Sequence, residues 1–197
     1  MATSEEEEEE ELRRVAGSVP DPELPVLTLD ELGVLRNVHV LGPGRVEVEL
    51  TPTYTGCPAI ETMSADIVRV LHAHGVPEVM VHPVLSPPWT TDDISDTGRR
   101  KLRESGIAPP RTQRAPGPVP LALGPTHTAG PAGPQASDHG APPAADDAGP
   151  RDTVGAVHCP QCGSADNELL SRFSSTACKA LRRCRACREP FDHFKEV

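Results

Sequence analysis

Eleven of the chain's 23 prolines fall between Pro109 and Pro150, interleaved with glycine and alanine and with few large apolar side chains. Such a stretch cannot bury enough surface to offset the entropy of ordering it, so composition predicts a disordered Pro/Ala-rich linker over residues 109–157. That segment decides the organisation of the chain, because it leaves two separate blocks to find a core. The expected domains are an acidic tail at 1–11, an α+β domain at 12–108, the linker, and a small metal-stapled block at 158–197.

Charge narrows the function classes. The formal net charge is -10, and the unbroken run Glu5–Glu11 supplies seven of those negatives. A broad basic surface for nucleic acid is therefore not expected. The acidic run reads either as a solvated tail or as the first turns of a helix continuing through Leu12, Val15 and Ala16. No stretch reaches the roughly 18 to 20 apolar residues that span a membrane, and the acidic start is the opposite of a signal peptide's, so a cytoplasmic protein is expected. In a reducing compartment six cysteines point to metal or redox chemistry in preference to disulfides.

In the first block the prolines of Val19-Pro-Asp-Pro-Glu-Leu-Pro25 forbid regular helix and present Asp21 and Glu23 on a stiff loop. Those carboxylates either turn the chain, Asp21 accepting local N–H groups, or act toward a ligand or partner. A short helical turn over Leu27–Leu32 ends at Gly33. Two strands, Val34–Leu41 and Arg45–Thr51, form a hairpin around Gly42-Pro43-Gly44, the second alternating Val46, Val48 and Leu50 inward with charged residues outward. Ile60, Met63, Ile67, Val70, Leu71 and His74 recur at three- and four-residue steps and line one helix face, stopping at Gly75. Val76–His82 reads as a third strand ended or edged by Pro83, and Asp92–Ser105 as a helix weakened at Gly98. The fold class is α+β: a small two-layer domain of hairpin, third strand and packed helices, joined by the linker to a C-terminal zinc ribbon. His72, His74 and His82 have no metal-site spacing, and His127 and His139 in the linker carry no specific role.

Cys57 sits where the strand pattern gives way to the helical one. Pro58 suits a first helical turn, which makes Cys57 the expected N-cap. There, unpaired N–H groups and the helix dipole favour a thiolate, a nucleophile or metal ligand. The alternative is a small buried core cysteine. The sole tryptophan, Trp89, is held by Ser86-Pro-Pro-Trp89 and is expected to cover the core edge beside Cys57.

The strongest motif is at the C-terminus: Cys159-Pro-Gln-Cys162 and Cys184-Arg-Ala-Cys187, two Cys-x-x-Cys knuckles 21 residues apart. Two-residue spacing lets both sulfurs of a knuckle converge on one ion, and four thiolates form the closed tetrahedral set of structural zinc. Glu168–Phe173 and Leu181–Arg183 read as short strands of a ribbon too small to fold without metal. An iron–sulfur cluster is the other four-thiolate occupant, with a redox dithiol pair behind it. Cys178 is left over as a spare ligand, a reactive thiol beside Lys179, or a core filler.

These residues together resemble the family of D subunits of the bacterial phenylacetyl-CoA epoxidase. The carriers are Asp21-Pro-Glu-Leu-Pro25, Pro52-Thr-Tyr-Thr-Gly-Cys-Pro58, Ser86-Pro-Pro-Trp-Thr-Thr91, Gly106-Ile-Ala-Pro-Pro110, Ser175-Thr-Ala-Cys-Lys-Ala-Leu181 and Cys187-Arg-Glu-Pro-Phe191. The first block resembles the iron–sulfur assembly and maturation domain, in which the cysteine matching Cys57 takes part in metal or cluster handling. The resemblance implies an accessory subunit of phenylacetate degradation, without catalytic residues of its own. It would help the oxygenase or reductase component acquire or retain iron or iron–sulfur centres. Cys57 would hold iron or a cluster transiently, flanked by Asp21 and Glu23, while the ribbon holds zinc and docks the target. Consistent with a non-catalytic part, the sequence has no paired Glu-x-x-His motifs and no flavin or nicotinamide fingerprint. The rivals are a purely structural docking subunit and a redox protein with a cluster in the four-cysteine site. The chain departs from the family pattern in its long linker, which suggests independent modules, and in Ser174, where glycine is usual.

Overall fold

The computed structural model describes residues 2–54, 56–111 and 156–196. The expectation of disorder over most of the linker, with His127 and His139, lies outside them. The alternating segment becomes the central strand of the first sheet, β2 (Arg45–Leu50), with Val46, Val48 and Leu50 buried. Strand β1 (Leu35–Gly42) pairs antiparallel on one side, completing the hairpin, and β3 (Glu78–Pro83) pairs parallel on the other. A parallel pair needs a crossover, and α3 (Ala59–Ala73) supplies it, with Met63, Ile67 and Leu71 buried on one face. Pro83 closes an edge strand, where its missing N–H costs no ladder bond.

Of the two readings of the acidic run, the structure takes the helical one. Helix α1 (Ala2–Gly17) includes the whole run and buries Leu12 and Ala16. Glu9 Oε1 accepts the Val40 N–H at 2.9 Å, and Arg13 donates to the carbonyls of Leu35 and Arg36. The run thus covers the free edge of β1 and blunts it against pairing with another chain.

The turn at Leu27–Leu32 is α2 (Leu29–Leu32), opened by a reciprocal capping box between Thr28 and Glu31 and closed by Gly33 at φ 74. The helix expected over Asp92–Ser105 is split. A 3-10 turn (Thr91–Asp93) is capped by Thr90, Ile94 is extended, and Ser95 opens α4 (Asp96–Glu104) by accepting the Gly98 N–H at 3.0 Å. Gly98 is a close-approach position as well as a weak helix former, since a Cβ there would lie 2.8 Å from the Glu31 carbonyl oxygen. That approach lets Lys101 Nζ reach Glu31 at 2.7 Å.

The C-terminal block is a ribbon of β5 (Asn167–Ser171), β6 (Lys179–Cys184) and β7 (Pro190–Phe194), antiparallel throughout. Its sheet does not end there. Strand β4 (Ile107–Ala108), from the first block, pairs parallel with β7 and gives the order β4-β7-β6-β5. Neither β4 nor β7 is among the strands expected from the sequence. The suggestion of independent modules is corrected as well: all described residues fall in one compact unit, and Phe194 and Cys178 share a core cluster with Leu24, Leu32 and Met63. Trp89 donates Nε1–H to the Leu32 carbonyl at 2.9 Å, and its ring partner is Phe194, at 6.0 Å and 51°. It therefore seals the seam between the blocks, where the expectation was a cover over the core edge beside Cys57. Across the same seam Arg111 Nε meets Glu196 at 2.8 Å, and Arg99 Nη1 steadies the segment leading to Arg111 by donating to the Pro110 carbonyl at 2.7 Å. No helix among the described residues is long and apolar enough to cross a membrane.

Candidate functional site

The two Cys-x-x-Cys knuckles fold alike. Gly163 N–H donates to the Cys159 carbonyl at 2.9 Å and Arg188 N–H to the Cys184 carbonyl at 3.0 Å. Gly163 at φ 75 and Arg188 at φ 69 occupy equivalent left-handed positions, one a glycine and the other not. The turns bring the sulfurs of Cys159, Cys162, Cys184 and Cys187 all within 4.8 Å of one another. The Sγ separations are 3.7 Å for Cys159–Cys187 and 3.5 Å for Cys162–Cys184. A tetrahedron with metal–sulfur bonds of about 2.3 Å has edges of about 3.8 Å, so the four residues present fit one tetrahedral ion. The Cys184 thiol is drawn down to about 7, first by the N–H of Cys187. Cys159 and Cys184 are buried while Cys162 is exposed. All six cysteines of the chain are free of disulfides.

A second thiol site lies in the first block, and its surroundings differ. Cys57 precedes the helix by one residue more than expected, Pro58 being the N-cap of α3. It is buried, and its thiol is pushed up, chiefly by burial and also by the nearby Glu23 and Asp21 carboxylates. The lowered, activated thiol expected from the helix terminus is therefore corrected. The N–H of Ala59 does pull the thiol down, but desolvation outweighs it. Tyr54, which no sequence expectation singles out, lies near the thiol, and its own phenol is pushed up to about 12 by burial and by the neighbouring Cys57 and Glu23.

Asp21 does what a turn-forming aspartate does, its Oδ1 accepting the N–H groups of Glu23 at 2.9 Å and Leu24 at 2.6 Å. It is also buried, and burial pushes its carboxyl up against those bonds. Asp21, Glu23 and Cys57 line one small cavity of about 10 Å³, with Thr53, Leu24, Leu32 and Met63 among its walls. The same cavity is lined from the ribbon side by Cys178 and Phe194. Of the three readings of Cys178, the filler of the ribbon's own core fails, because the residue joins the cluster of the first block. Beside it, the buried Lys179 lies 3.5 Å from Asp192, whose other oxygen accepts the Ser174 hydroxyl. The departure at Ser174 thus ties the loop before Cys178 to the carboxylate that holds Lys179. Nothing local in the sequence signals this convergence.

Comparison with known proteins follows the division into blocks. Residues 9–82 match the family described as "Iron-sulfur cluster assembly protein", and residues 143–195 match the "PaaD zinc beta ribbon domain". An Escherichia coli (strain K12) protein, described as the putative D subunit of 1,2-phenylacetyl-CoA epoxidase, is 40% identical over 185 residues, covering 94% of this chain and 91% of that protein. The chain belongs to the family of phenylacetyl-CoA epoxidase D subunits. Two shorter proteins are also similar to this family member. A "Fe-S protein maturation auxiliary factor" of Porphyromonas gingivalis (strain ATCC BAA-308 / W83) is 35% identical over 95 residues, 48% of this chain and 90% of that protein. The "Fe-S protein maturation auxiliary factor YitW" of Bacillus subtilis (strain 168) is 35% identical over 80 residues, 39% of this chain and 76% of that protein. This member of the D-subunit family therefore joins a block shared with maturation factors to a ribbon for which those shorter chains have little room.

Proposed function

We propose that this chain is an accessory maturation subunit of the phenylacetyl-CoA epoxidase system. It assists the oxygenase or reductase component in acquiring or retaining iron or iron–sulfur centres. The observation that carries the reading is the convergence of Cys57, Asp21 and Glu23 on one cavity with room for about a single water or ion. Sulfur and carboxylate oxygen together suit a borderline divalent cation such as ferrous iron, which is cargo at this site and not a resident cofactor. The ion takes the place of the thiol proton on sulfur and the proton is released to water, so a buried Cys57 can bind it with no need for a free thiolate beforehand. The four-cysteine site, closed and saturated by protein ligands, holds zinc as a structural ion. The partners are the epoxidase components, and the chain itself contributes no catalytic group.

Cys57→Ser tests the reading in cells that express the whole epoxidase system. Purified oxygenase and reductase should lose most of their iron while this protein still co-purifies with them. Unchanged iron content and activity would leave the chain a purely structural, docking role. Elemental analysis and the visible spectrum of anaerobically purified protein decide the ribbon metal: one zinc per chain and no absorption above the aromatic bands are expected. Iron with visible absorption in its place would indicate a cluster.

A further inference from the structure

We infer that the cargo pocket is a two-thiol site shared between the blocks, in which Cys178 of the ribbon joins Cys57, Asp21 and Glu23 as a ligand for one divalent iron-class cation. The inference rests on the maturation reading and adds to it a donor from the other half of the protein. Three observations carry it. Cys178 is buried, yet it lines the same cavity as Cys57, Asp21 and Glu23, and it stands in the first block's core cluster. Asp21 is 5% exposed, and both hydrogen bonds its carboxylate accepts among the described residues fall on Oδ1, which leaves Oδ2 for a cation. Finally, Cys178 directly precedes β6, and Cys184, a ligand of the four-cysteine site, ends that strand.

That last placement makes β6 a physical link between the two sites. One end of a six-residue strand carries a ligand of the closed ribbon site, and the other end abuts the thiol of the cargo pocket. Among the described residues only the four paired cysteines draw their ligand atoms within 4.8 Å of one another. The cargo donors line one cavity without three of their ligand atoms lying within 4.8 Å of one another, so holding one ion requires them to draw together. The ribbon metal is then a condition of cargo binding, because Cys178 reaches the pocket only when β6 is folded. The shorter maturation factors use 90% and 76% of their own length on a match covering at most 48% of this chain.

The test is titration of the zinc-loaded full chain with cobalt(II) under anaerobic conditions, read by thiolate-to-cobalt charge-transfer absorption with zinc content monitored. The wild type should bind one cobalt without losing zinc. Cys57→Ser and Cys178→Ser should each cut the band to about half and weaken binding about ten-fold or more, with zinc retained. Loss in Cys57→Ser alone would leave the maturation reading standing and overturn the shared site. No change in either variant would overturn both. Should Cys178→Ser fail to retain zinc, cobalt-edge X-ray absorption of the wild type decides without a variant. Two sulfur neighbours per cobalt support the shared site, and one or none overturns it.

Discussion

The chain holds two thiol sites that resemble each other only in using cysteine. In the ribbon, four sulfurs lie within 4.8 Å of one another, delivered by two turns of matching geometry that are local in sequence. Around the small cavity, the Cys57 thiol and the Asp21 and Glu23 carboxylates come from distant segments of the first block and the Cys178 thiol from the ribbon, and burial raises both thiols above their ordinary value. A site assembled from local turns, closed and fully protein-ligated, suits an ion that stays. A site split across a seam, its thiols raised by burial, is the one we propose takes an ion in passing. The comparison teaches that a cysteine's chemistry here follows from how many elements must agree to place it, more than from the helix end beside it.

Removing the ribbon metal should break this comparison most severely. Structural metal supplies on the order of 10 kcal/mol to a module of this size, so chelation or Cys184→Ala should unfold β5–β7 outright. Because the seam is shared, the effect should cross it. Trp89, the chain's sole tryptophan, loses the Phe194 ring against it, and its fluorescence should shift to the red as the ribbon unfolds. An unchanged emission spectrum after complete metal removal would show that the ribbon folds and docks without metal.

The next largest effect isolates the seam from the metal. Phe194 is fully buried, and it packs on Trp89 while lining the small cavity beside Cys57. Phe194→Ala should cost about 3–5 kcal/mol in denaturant unfolding followed by Trp89 fluorescence, the range for deleting a buried aromatic ring. Zinc content should stay at the wild-type level, since the knuckles do not include this residue. Loss of zinc together with stability would mean that the two sites cannot be separated.

How much of the molecule is legible in the sequence depends on the range of each interaction. The hairpin follows from the alternation of Val46, Val48 and Leu50, and α3 from the spacing of Met63, Ile67 and Leu71, because each periodicity is written within one element. The four-cysteine site is equally plain, since two-residue spacing fixes it. The pairing of β4 with β7 is not, because two residues carry no period and their partners lie 85 positions away. The activated thiol expected at Cys57 fails for a related reason. The helix-end argument counts the dipole and N–H groups of one element. Burial and the carboxylates of Asp21 and Glu23 are set by the rest of the chain. Cys178 becomes readable only once the ribbon is seen to dock.

The smallest effect concerns acid and the seam. His193 pairs in register with Ala108 across the β4–β7 junction, and its Nε2 is buried without a hydrogen bond, the nearest Glu196 oxygen being 3.9 Å away. Burial, joined by the Arg182 and Arg111 charges and opposed by Glu196, pushes the imidazole down from 6.5 to about 4. Between those values the unfolded chain binds a proton that the folded one refuses, so stability should fall as pH drops from about 6.5 to about 4 and change no further from this group below that. A shift of this size corresponds to roughly 3 kcal/mol over the whole window. His193→Leu removes both the titration and the unpaired nitrogen, so the variant should match or exceed the wild type at pH 4.5 and differ less at pH 7.5. Thiolate protonation at the ribbon is common to both proteins and cancels in the difference. Zinc-loaded protein unfolded by denaturant at a series of pH values gives that difference directly, and a flat line would show that His193 does not make the seam sensitive to acid.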